Sequence, residues 1–410
     1  MVFGMRVFGL FLAIVLAFEG QSAEPLKGVV LWNDTAREHP ECNASISLEF
    51  AYVLPCAVAS AEDVWDWSTV EKLLEDVSGR GHQAILRFRY VYPGERIGGV
   101  RGATAVPAFI KSRADYHETF AKDPNGDGPT FYADWSCKAL ETFTLDFYRA
   151  FAAKYDRDRR LAFLEVGFGH WAEYHTCGTP TVPGGNFPSK SFQERFIRTV
   201  TSSFAETPVL VSIDAQDSAY SPLAENRVLR DLDFGLFDDS FMHKNHDLVQ
   251  GDGYNERCWL RFPEHWRKGP CGGEISYYAK RDQREFLNPR GLYGMTWKSA
   301  AAKYHMTFVV ANDCLDGTFA TPDRLAEAGR ECGWRFVFSK PVTEDDRTSV
   351  TVSNVGVAPA YHDIRVRLGK ETSSETLKGL LPGDSKTFRF VASDAKPTLT
   401  SCKFLNQEPN

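Results

Sequence analysis

The sequence has no excess of basic residues, no CxxC pair and no GxGxxG-type phosphate loop after an early strand. Lysine and arginine together number 47, against 54 aspartate and glutamate residues, so the formal net charge is −7. A nucleic-acid or anionic-membrane partner therefore has no electrostatic support. Because none of the nine cysteines belongs to a CxxC pair, a zinc site or a thioredoxin-type redox centre is disfavoured. We expect no cofactor.

The apolar run at the N-terminus is too short to span a bilayer. It follows Arg6, extends from Val7 to Ala17, and is followed by small residues before Glu24. This pattern is typical of a secretory signal peptide, whereas a spanning helix needs roughly 20 apolar residues. We predict that residues 1–23 are a signal peptide and that the mature protein is secreted or periplasmic, without a membrane anchor.

Secretion would expose the cysteines to an oxidising compartment, where some are expected to pair. The nine cysteines are spread singly along the chain, and their odd number leaves at least one unpaired. Cys42–Cys56 and Cys258–Cys271 are close enough in sequence to be candidate disulfides.

Short apolar segments alternate with amphipathic helical stretches from residue 28 to about residue 338. This alternation predicts βαβ units and a parallel sheet. Eight such units favour a closed (β/α)₈ barrel, the TIM barrel, over an open doubly wound sheet. The predicted strands are Gly28–Trp32, Ile46–Tyr52, Ala84–Tyr90, Leu161–Gly167, Pro208–Asp214, Phe234–Asp239, Gly272–Ser276 and Thr307–Ala311. The predicted helices are Trp67–Gly79, Cys137–Tyr155, Ser191–Phe204, Pro222–Asp231, Trp297–Tyr304 and Pro322–Cys332.

The pattern changes after Pro341. Ser349–Ser353, Asp363–Leu368 and Lys386–Phe390 alternate apolar and polar residues between turn-forming residues. Such alternation predicts a small antiparallel β-sandwich. We therefore divide the chain after the signal peptide into a barrel over residues 24–340 and a sandwich over residues 341–402. The sequence does not decide whether the sandwich packs on the barrel or binds glycan.

Two glutamates lie near the C-terminal ends of predicted strands four and seven, where barrels carry their functional residues. Glu173 follows strand four, and Glu274 follows the glycine pair of strand seven. These two strand ends face each other across a barrel mouth, which suits two carboxyl groups that flank one glycosidic bond. A third glutamate, Glu165, points into the barrel, where Arg87 or Arg89 is its expected structural partner.

Trp171-Ala172-Glu173-Tyr174-His175 and Gly272-Gly273-Glu274 resemble motifs of a family of secreted bacterial barrel proteins whose function was long unassigned. Tyr155–Leu161 and Asp238–Phe241 add to the resemblance, which covers most of residues 28–400. In layout this family is similar to the clan of retaining glycoside hydrolases. The resemblance implies that Glu173 is the acid/base and Glu274 the nucleophile. The sequence departs from the clan because no Asn-Glu pair closes strand four, so Glu165 is an alternative acid/base.

Other side chains near predicted strand ends are candidates for sugar binding. Aromatic rings can stack on sugar faces, and the polar groups can hydrogen-bond to sugar hydroxyls. The candidates are Trp32, Arg87, Tyr90, His170, Trp171, His175, Asp214, Asp239, His243 and Tyr254.

A short acidic loop resembles the start of an EF-hand calcium loop. Asp123, Asn125 and Asp127 occupy its first, third and fifth positions, and Asp134 occupies the twelfth. The usual glutamate at position twelve is absent, and no EF-hand helix obviously precedes the loop. We favour a polar surface turn in which Asp134 caps the following helix, with a structural calcium site as the alternative.

The sequence therefore favours a secreted, retaining glycoside hydrolase acting on a poly- or oligosaccharide. One alternative is a carbohydrate-binding barrel that has lost catalysis, which would tolerate the loss of either glutamate. Another is a metal-assisted barrel hydrolase that uses Asp214, Asp239 and the histidines, which would be sensitive to chelators.

Overall fold

Eight parallel strands form a closed barrel in the computed structural model, which describes residues 23–246 and 251–405. Each strand pairs with the next along the chain, and the eighth pairs with the first. The predicted (β/α)₈ fold is confirmed. The barrel strands are β1 (Gly28–Trp32), β2 (Leu48–Val53), β3 (Gln83–Phe88), β4 (Leu161–Val166), β5 (Val209–Ser212), β6 (Gly235–Phe241), β7 (Cys271–Ile275) and β8 (Phe308–Val310).

Helices lie between the barrel strands and cover the outside of the barrel. The predicted helix at Pro222–Asp231 is shorter than expected. It begins only at Arg227, because the Asn226 side chain accepts a hydrogen bond from the backbone N–H of Leu229 and caps the helix there. The helices are α1 (Asn33–Glu38), α2 (Ser68–Gly79), α3 (Ala108–Lys111), α4 (Lys138–Tyr155), α5 (Lys190–Ser203), α6 (Arg227–Arg230), α7 (Tyr254–Leu260), α8 (Lys280–Glu285), α9 (Trp297–Tyr304) and α10 (Pro322–Arg330).

Side chains along each strand alternate between the barrel interior and the helical layer. On β3, Ile85 packs in the interior cluster, whereas Leu86 packs with the helices. The rings of Phe163 and Phe308 stack inside the barrel with their centroids 5.1 Å apart. Gly272 makes room for them, since a Cβ there would lie 2.2 Å from the Phe308 ring. This alternation directs Arg87 into the barrel, above the apolar layer.

Two antiparallel sheets follow the barrel, and their apolar side chains share one buried cluster with its interior. The predicted fold class, a barrel with a small C-terminal antiparallel sandwich, is therefore confirmed. Because Phe336–Phe338 already pairs within the first sheet, that sheet begins before Pro341, and the division of domains after residue 340 stays a prediction. The strands are β9 (Phe336–Phe338), β10 (Val342–Glu344), β11 (Arg347–Asn354), β12 (Arg365–Leu368), β13 (Glu371–Thr372), β14 (Ser385–Val391) and β15 (Pro397–Thr400).

The C-terminal region packs against the N-terminal ends of the barrel strands. His362 Nε2 donates to the carbonyl of Ala162 over 3.0 Å, and Gln83 Nε2 donates to the carbonyl of Lys403 over 2.8 Å. The Lys403 ammonium is fully buried and donates to backbone carbonyls at the start of β4. This packing occupies the end of the barrel opposite to the predicted carboxyl groups.

All nine cysteines lie among the described residues, and all are free thiols. The structure forms neither of the candidate disulfides, Cys42–Cys56 and Cys258–Cys271, and pairing after secretion stays a prediction. Closeness in sequence did not bring partners together in space: Cys42 neighbours Cys314 instead.

Residues 1–22 of the predicted signal peptide lie outside the described residues. Within the two described ranges, every helix is too short or too polar to cross a bilayer.

Candidate active site

The loop after β4 folds back on itself and returns Glu173 to the barrel mouth. The backbone N–H of Gly169 donates to the Glu173 carbonyl over 2.9 Å. Glycine is required at two positions of this loop. A Cβ on Gly167 would lie 1.7 Å from the Ala172 carbonyl oxygen, and a Cβ on Gly169 would lie 1.9 Å from that of His175. The reversal explains how Glu173 reaches the mouth although it lies six residues beyond the end of the predicted strand.

Inside the barrel, the Arg87 guanidinium bridges two glutamates. Its Nη2 lies 2.5 Å from Glu165 Oε2 and 2.7 Å from Glu274 Oε1. Burial raises the pKa of Glu165 to about 7 and also raises the pKa of Glu274, while the charge of Arg87 opposes both shifts. Arg87 and Glu165 are completely buried, whereas Glu274 retains slight exposure. Glu165 thus has the arginine partner that the sequence suggested.

Glu173 and Asp239 form a carboxyl pair. The two carboxyl groups act on each other's ionisation, and each disfavours a second negative charge beside it. Burial and the neighbouring charge of Asp239 hold the pKa of Glu173 well above its usual range. Burial and the charge of Asp214 raise the pKa of Asp239 to about 6. Of the two, Glu173 is therefore the member whose protonated form the site favours more strongly.

His175 lies between two carboxyl groups. Its Nδ1 is 3.0 Å from Asp214 Oδ2, and its Nε2 is 3.5 Å from Glu173 Oε2. The Tyr254 hydroxyl donates to the other oxygen of Asp214 over 3.1 Å. Burial lowers the pKa of His175, but the hydrogen bond to Asp214 and the nearby carboxyl groups raise it by more, to well above its usual range. These contacts favour the protonated form of His175, whose Nε2 faces Glu173.

Partly exposed aromatic side chains surround these carboxyl groups. Tyr52 and Tyr277 interact with Glu274, and Tyr278 interacts with Asp239 and Glu173. Tyr278 is 76% exposed, and its ring lies 4.8 Å from that of His243. Aromatic walls with a few convergent polar groups are typical of small-molecule sites. The aromatic set is Trp32, Tyr52, Tyr92, Trp171, Tyr254, Tyr277 and Tyr278.

Two residues predicted to bind substrate face elsewhere. The Tyr90 hydroxyl pairs with Thr144 of α4 over 2.9 Å, so this ring belongs to the helical layer. His170 is 1% exposed, and its two ring nitrogens contact Tyr132 and Asp127, so it anchors the loop after β4. The other candidates converge on the mouth: Trp32, Arg87, Trp171, His175, Asp214, Asp239, His243 and Tyr254.

The EF-hand-like loop is held by protein contacts. Asp127 accepts hydrogen bonds from His170 Nε2 over 2.8 Å and from Trp171 Nε1 over 3.3 Å. Asp134 accepts from the backbone N–H of Ser136 over 3.0 Å and does not cap α4, which corrects the prediction. Asp134 also accepts from the N–H of His117, Asp123 contacts the N–H of Gly128, and Asn125 contacts the thiol of Cys177. Calcium binding at this loop stays a prediction.

Glu173, His175 and Asp214 are also close enough together for all three to bind one metal ion. One ligand atom from each lies within 4.8 Å of the other two. Sequence spacing did not predict this convergence, because Asp214 follows β5, far along the chain from Glu173. The three groups also satisfy one another without an ion, since His175 contacts both carboxyl groups.

Arg89 has surroundings that the sequence did not predict. Arg87 or Arg89 was expected as the partner of the buried glutamate, and Arg87 takes that place. Arg89 instead lies with its guanidinium carbon 3.7 Å from the ring centroid of Tyr52 and 4.0 Å from that of Tyr92. The sequence contained one indication of this position. Arg89 is two residues after Arg87, and side chains two residues apart in a strand point to the same side of the sheet.

No family model matches this sequence, and no curated protein matches it. Among solved structures, the chain is similar to endo-glycoceramidase II from Rhodococcus sp., with 13% identity, 93% of this chain and 100% of that chain covered, and a TM-score of 0.45. It is similar to the catalytic domain of β-amylase from Paenibacillus polymyxa, with 10% identity, coverage of 73% and 97%, and a TM-score of 0.48. It is also similar to xylanase 10B from Thermotoga maritima, with 11% identity, coverage of 71% and 84%, and a TM-score of 0.42. All three TM-scores lie below 0.5, so the functional argument rests on the side chains of the mouth. Membership of the family of secreted barrel proteins stays a prediction.

Proposed function

We propose that this chain is a retaining glycoside hydrolase that cleaves a poly- or oligosaccharide. Glu274 attacks the anomeric carbon, and Glu173 protonates the departing oxygen. The observation that carries the proposal is the contrast between the two glutamates. Glu274 is paired with the cation of Arg87, whereas Glu173 is paired with the carboxyl group of Asp239.

This contrast assigns the two roles. A neighbouring cation favours the ionised form of a carboxyl group, and a neighbouring anion favours the protonated form. Burial raises the pKa of both groups, but the Arg87 cation opposes the rise at Glu274, whereas the Asp239 charge adds to it at Glu173. Glu274 is therefore better suited to be the nucleophile and Glu173 to be the acid. After proton transfer, the imidazolium of His175 stabilises the new Glu173 carboxylate, which then takes a proton from the attacking water.

The expected setting of this reaction is outside the cytoplasm. It follows from the signal peptide predicted for residues 1–23, and the partner would be an extracellular or periplasmic glycan. The aromatic set at the mouth offers surfaces against which sugar rings can stack.

The test is hydrolysis of a panel of polysaccharides and aryl glycosides by the wild type and the Glu274→Gln and Glu173→Gln variants. Glu194→Gln, which changes an exposed glutamate on α5, is the matched control. We expect both site variants to lose activity by about 10²- to 10⁴-fold, and the control to retain it. Azide should restore turnover of activated aryl glycosides in a Glu173→Ala variant and give a glycosyl azide of retained configuration, because that variant still forms the intermediate on Glu274.

Other outcomes identify the alternatives. Binding of a glycan without cleavage would indicate a carbohydrate-binding protein. Full activity in both glutamine variants would show that the assignment of the two glutamates is wrong.

A metal-assisted barrel hydrolase is the second candidate, and the convergence of Glu173, His175 and Asp214 favours it. Histidine nitrogen and carboxylate oxygen are both zinc ligands, and three protein ligands leave the fourth position of a catalytic site open for water. In this case a chelator would abolish hydrolysis and added Zn²⁺ or Mn²⁺ would restore it, while Glu274→Gln would retain activity.

A further inference from the structure

Arg89 is a buried cation without a counter-charge. Its side chain is 4% exposed, and its Nε and Nη1 atoms have no hydrogen-bond partner in the described part of the chain. Within the same ranges, no carboxylate lies within the 4.0 Å of an ion pair. Burial without such a partner lowers the pKa of Arg89. An unpaired charge away from water is costly, so this position calls for a functional explanation.

Arg87 shows what a satisfied arginine looks like in the same barrel. It is two residues earlier in sequence, and it binds the carboxylates of Glu165 and Glu274. Glu274 also influences Arg89, but Arg87 already occupies it. Asp127, which accepts a hydrogen bond from the Trp171 ring beside Arg89, is bound to His170. The protein's own carboxylates near Arg89 are therefore engaged with other groups.

The surroundings of Arg89 connect it with the candidate active site. The Tyr52 ring on which it stacks carries a hydroxyl that accepts a hydrogen bond from Arg87 over 3.4 Å. Trp171, whose ring centroid lies 5.0 Å from the Arg89 guanidinium carbon, is two residues before Glu173. Trp171 and Tyr92 are partly exposed. A group entering the mouth thus meets Arg89 between aromatic rings and beside the proposed reacting carboxyls.

We infer that Arg89 binds an anionic group carried by the sugar, a carboxylate or a sulfate, and that the substrate is an acidic glycan. The inference rests on the proposed glycoside hydrolase function. The planar guanidinium presents paired N–H donors that match a carboxylate or a sulfate. The rings of Tyr52 and Tyr92 hold its plane in place. The chain as a whole has a net charge of −7, which does not attract an anion. The attraction for an acidic sugar therefore comes from Arg89 itself.

The experiment measures binding, so that its result does not depend on cleavage. Glucuronate, galacturonate and galactose 6-sulfate are each titrated against the neutral parent sugar, and the melting temperature of every variant is recorded as a check on folding. The proteins are the wild type, Arg89→Gln, Arg89→Lys and a control, Arg96→Gln, which changes an exposed arginine further along the same loop. If the wild type binds the uronates more tightly than the sulfated sugar, the site takes a carboxylate. If it binds galactose 6-sulfate more tightly, the site takes a sulfate.

We expect the wild type to bind the acidic sugars at least 10-fold more tightly than the neutral ones. Loss of one charge-assisted contact should reduce this preference by about 10- to 100-fold in Arg89→Gln. Arg89→Lys should keep part of the preference, because it keeps the charge without the planar fork, and Arg96→Gln should keep all of it. If Arg89→Gln does not fold, a reduced preference in Arg89→Lys provides the test.

The inference is overturned if the wild type shows no preference, if it binds none of the probes, or if both Arg89 variants retain the preference. Cleavage of a neutral glycan with equal kcat/KM in the wild type and Arg89→Gln would overturn the inference and leave the proposed function standing. Preferential binding of acidic sugars without hydrolysis of any glycan would support the role of Arg89 and contradict the proposed function.

Discussion

The two ends of the barrel treat buried charge in opposite ways. At the N-terminal end, the Lys403 ammonium donates to the carbonyls of Asp156, Asp158 and Leu161 over 2.7–3.2 Å, and to the Thr207 hydroxyl over 2.8 Å. At the C-terminal end, the carboxyl groups of Glu173 and Asp239 are buried beside each other. Two nitrogens of Arg89, Nε and Nη1, have no hydrogen-bond partner there.

This difference indicates that buried charge at the N-terminal end serves stability, whereas buried charge at the mouth serves function. A buried polar group that finds its partners contributes to the fold, whereas one without partners reduces stability unless a ligand completes it. Even Lys403, whose pKa is lowered to about 8 by burial, remains charged at pH 7 among its acceptors. Mutations at the N-terminal end should therefore change stability alone, and mutations at the mouth should change activity with little loss of stability.

The largest expected effect is that of Glu173→Gln. We expect kcat/KM to fall by about 10²- to 10⁴-fold, because the proton donor is lost, while the free energy of unfolding at pH 7 stays equal or rises by about 1–3 kcal/mol. The folded chain keeps the proton of Glu173 at pH values where the unfolded chain, with a pKa near 4.5, has lost it. The wild type is thus penalised increasingly as the pH rises above 4.5, and glutamine removes that penalty.

Urea unfolding at pH 4 and pH 7 tests this sign. The stability advantage of Glu173→Gln should be present at pH 7 and vanish towards pH 4, where both states of the wild type are protonated. A variant that is clearly less stable than the wild type at pH 7 would show that the carboxyl pair is part of the structural core.

Lys403→Met should have the reverse profile. Three backbone carbonyls lose their donor, at about 1 kcal/mol each, so we expect the free energy of unfolding to fall by about 3 kcal/mol. The kcat/KM of the folded fraction should be unchanged. Lys370→Met, at an exposed turn of the sandwich, is the control and should leave both quantities unchanged. Reduced kcat/KM at full folding would mean that the two ends are coupled.

The mouth can be probed further by the pH dependence of kcat/KM. Asp239→Asn removes the charge that raises the pKa of Glu173, so the alkaline limb of the profile should move to lower pH. Asp214→Asn should move this limb in the opposite direction. It removes the hydrogen bond that keeps His175 protonated, and a neutral His175 no longer lowers the pKa of Glu173. Shifts of the same sign in both variants would contradict the proposed arrangement.

The barrel and the position of Glu274 were predictable because both depend on local sequence. Buried parallel strands appear as short apolar runs, and the glycine pair before Glu274 marks where backbone and aromatic rings approach closely. The C-terminal sandwich was predictable for the same reason, since alternation of polar and apolar residues is itself the mark of strands with one buried face.

The rest of the site depends on contacts between distant segments. The return of Glu173 depends on Gly167 and Gly169, whose role is visible only when the loop is seen to fold back. Tyr90 was assigned to the wrong face because strand side chains alternate, so a displacement of one residue reverses the direction. The convergence of Asp214 and Asp239 on Glu173 joins three strands, and no spacing in the sequence encodes it.

The smallest expected effects are those of replacing one tyrosine at each end of the barrel. Tyr278→Ala removes an exposed ring at the mouth, and we expect KM to rise by about threefold with kcat unchanged, because a stacking surface contributes equally to the bound substrate and the transition state. Tyr361→Phe is the counterpart. It removes the hydroxyl that donates to the Trp266 carbonyl, and should lower stability by about 1 kcal/mol without affecting KM. A fall in kcat for Tyr278→Ala would instead place this ring in contact with the transition state, and unchanged KM would exclude it from the sugar-binding surface.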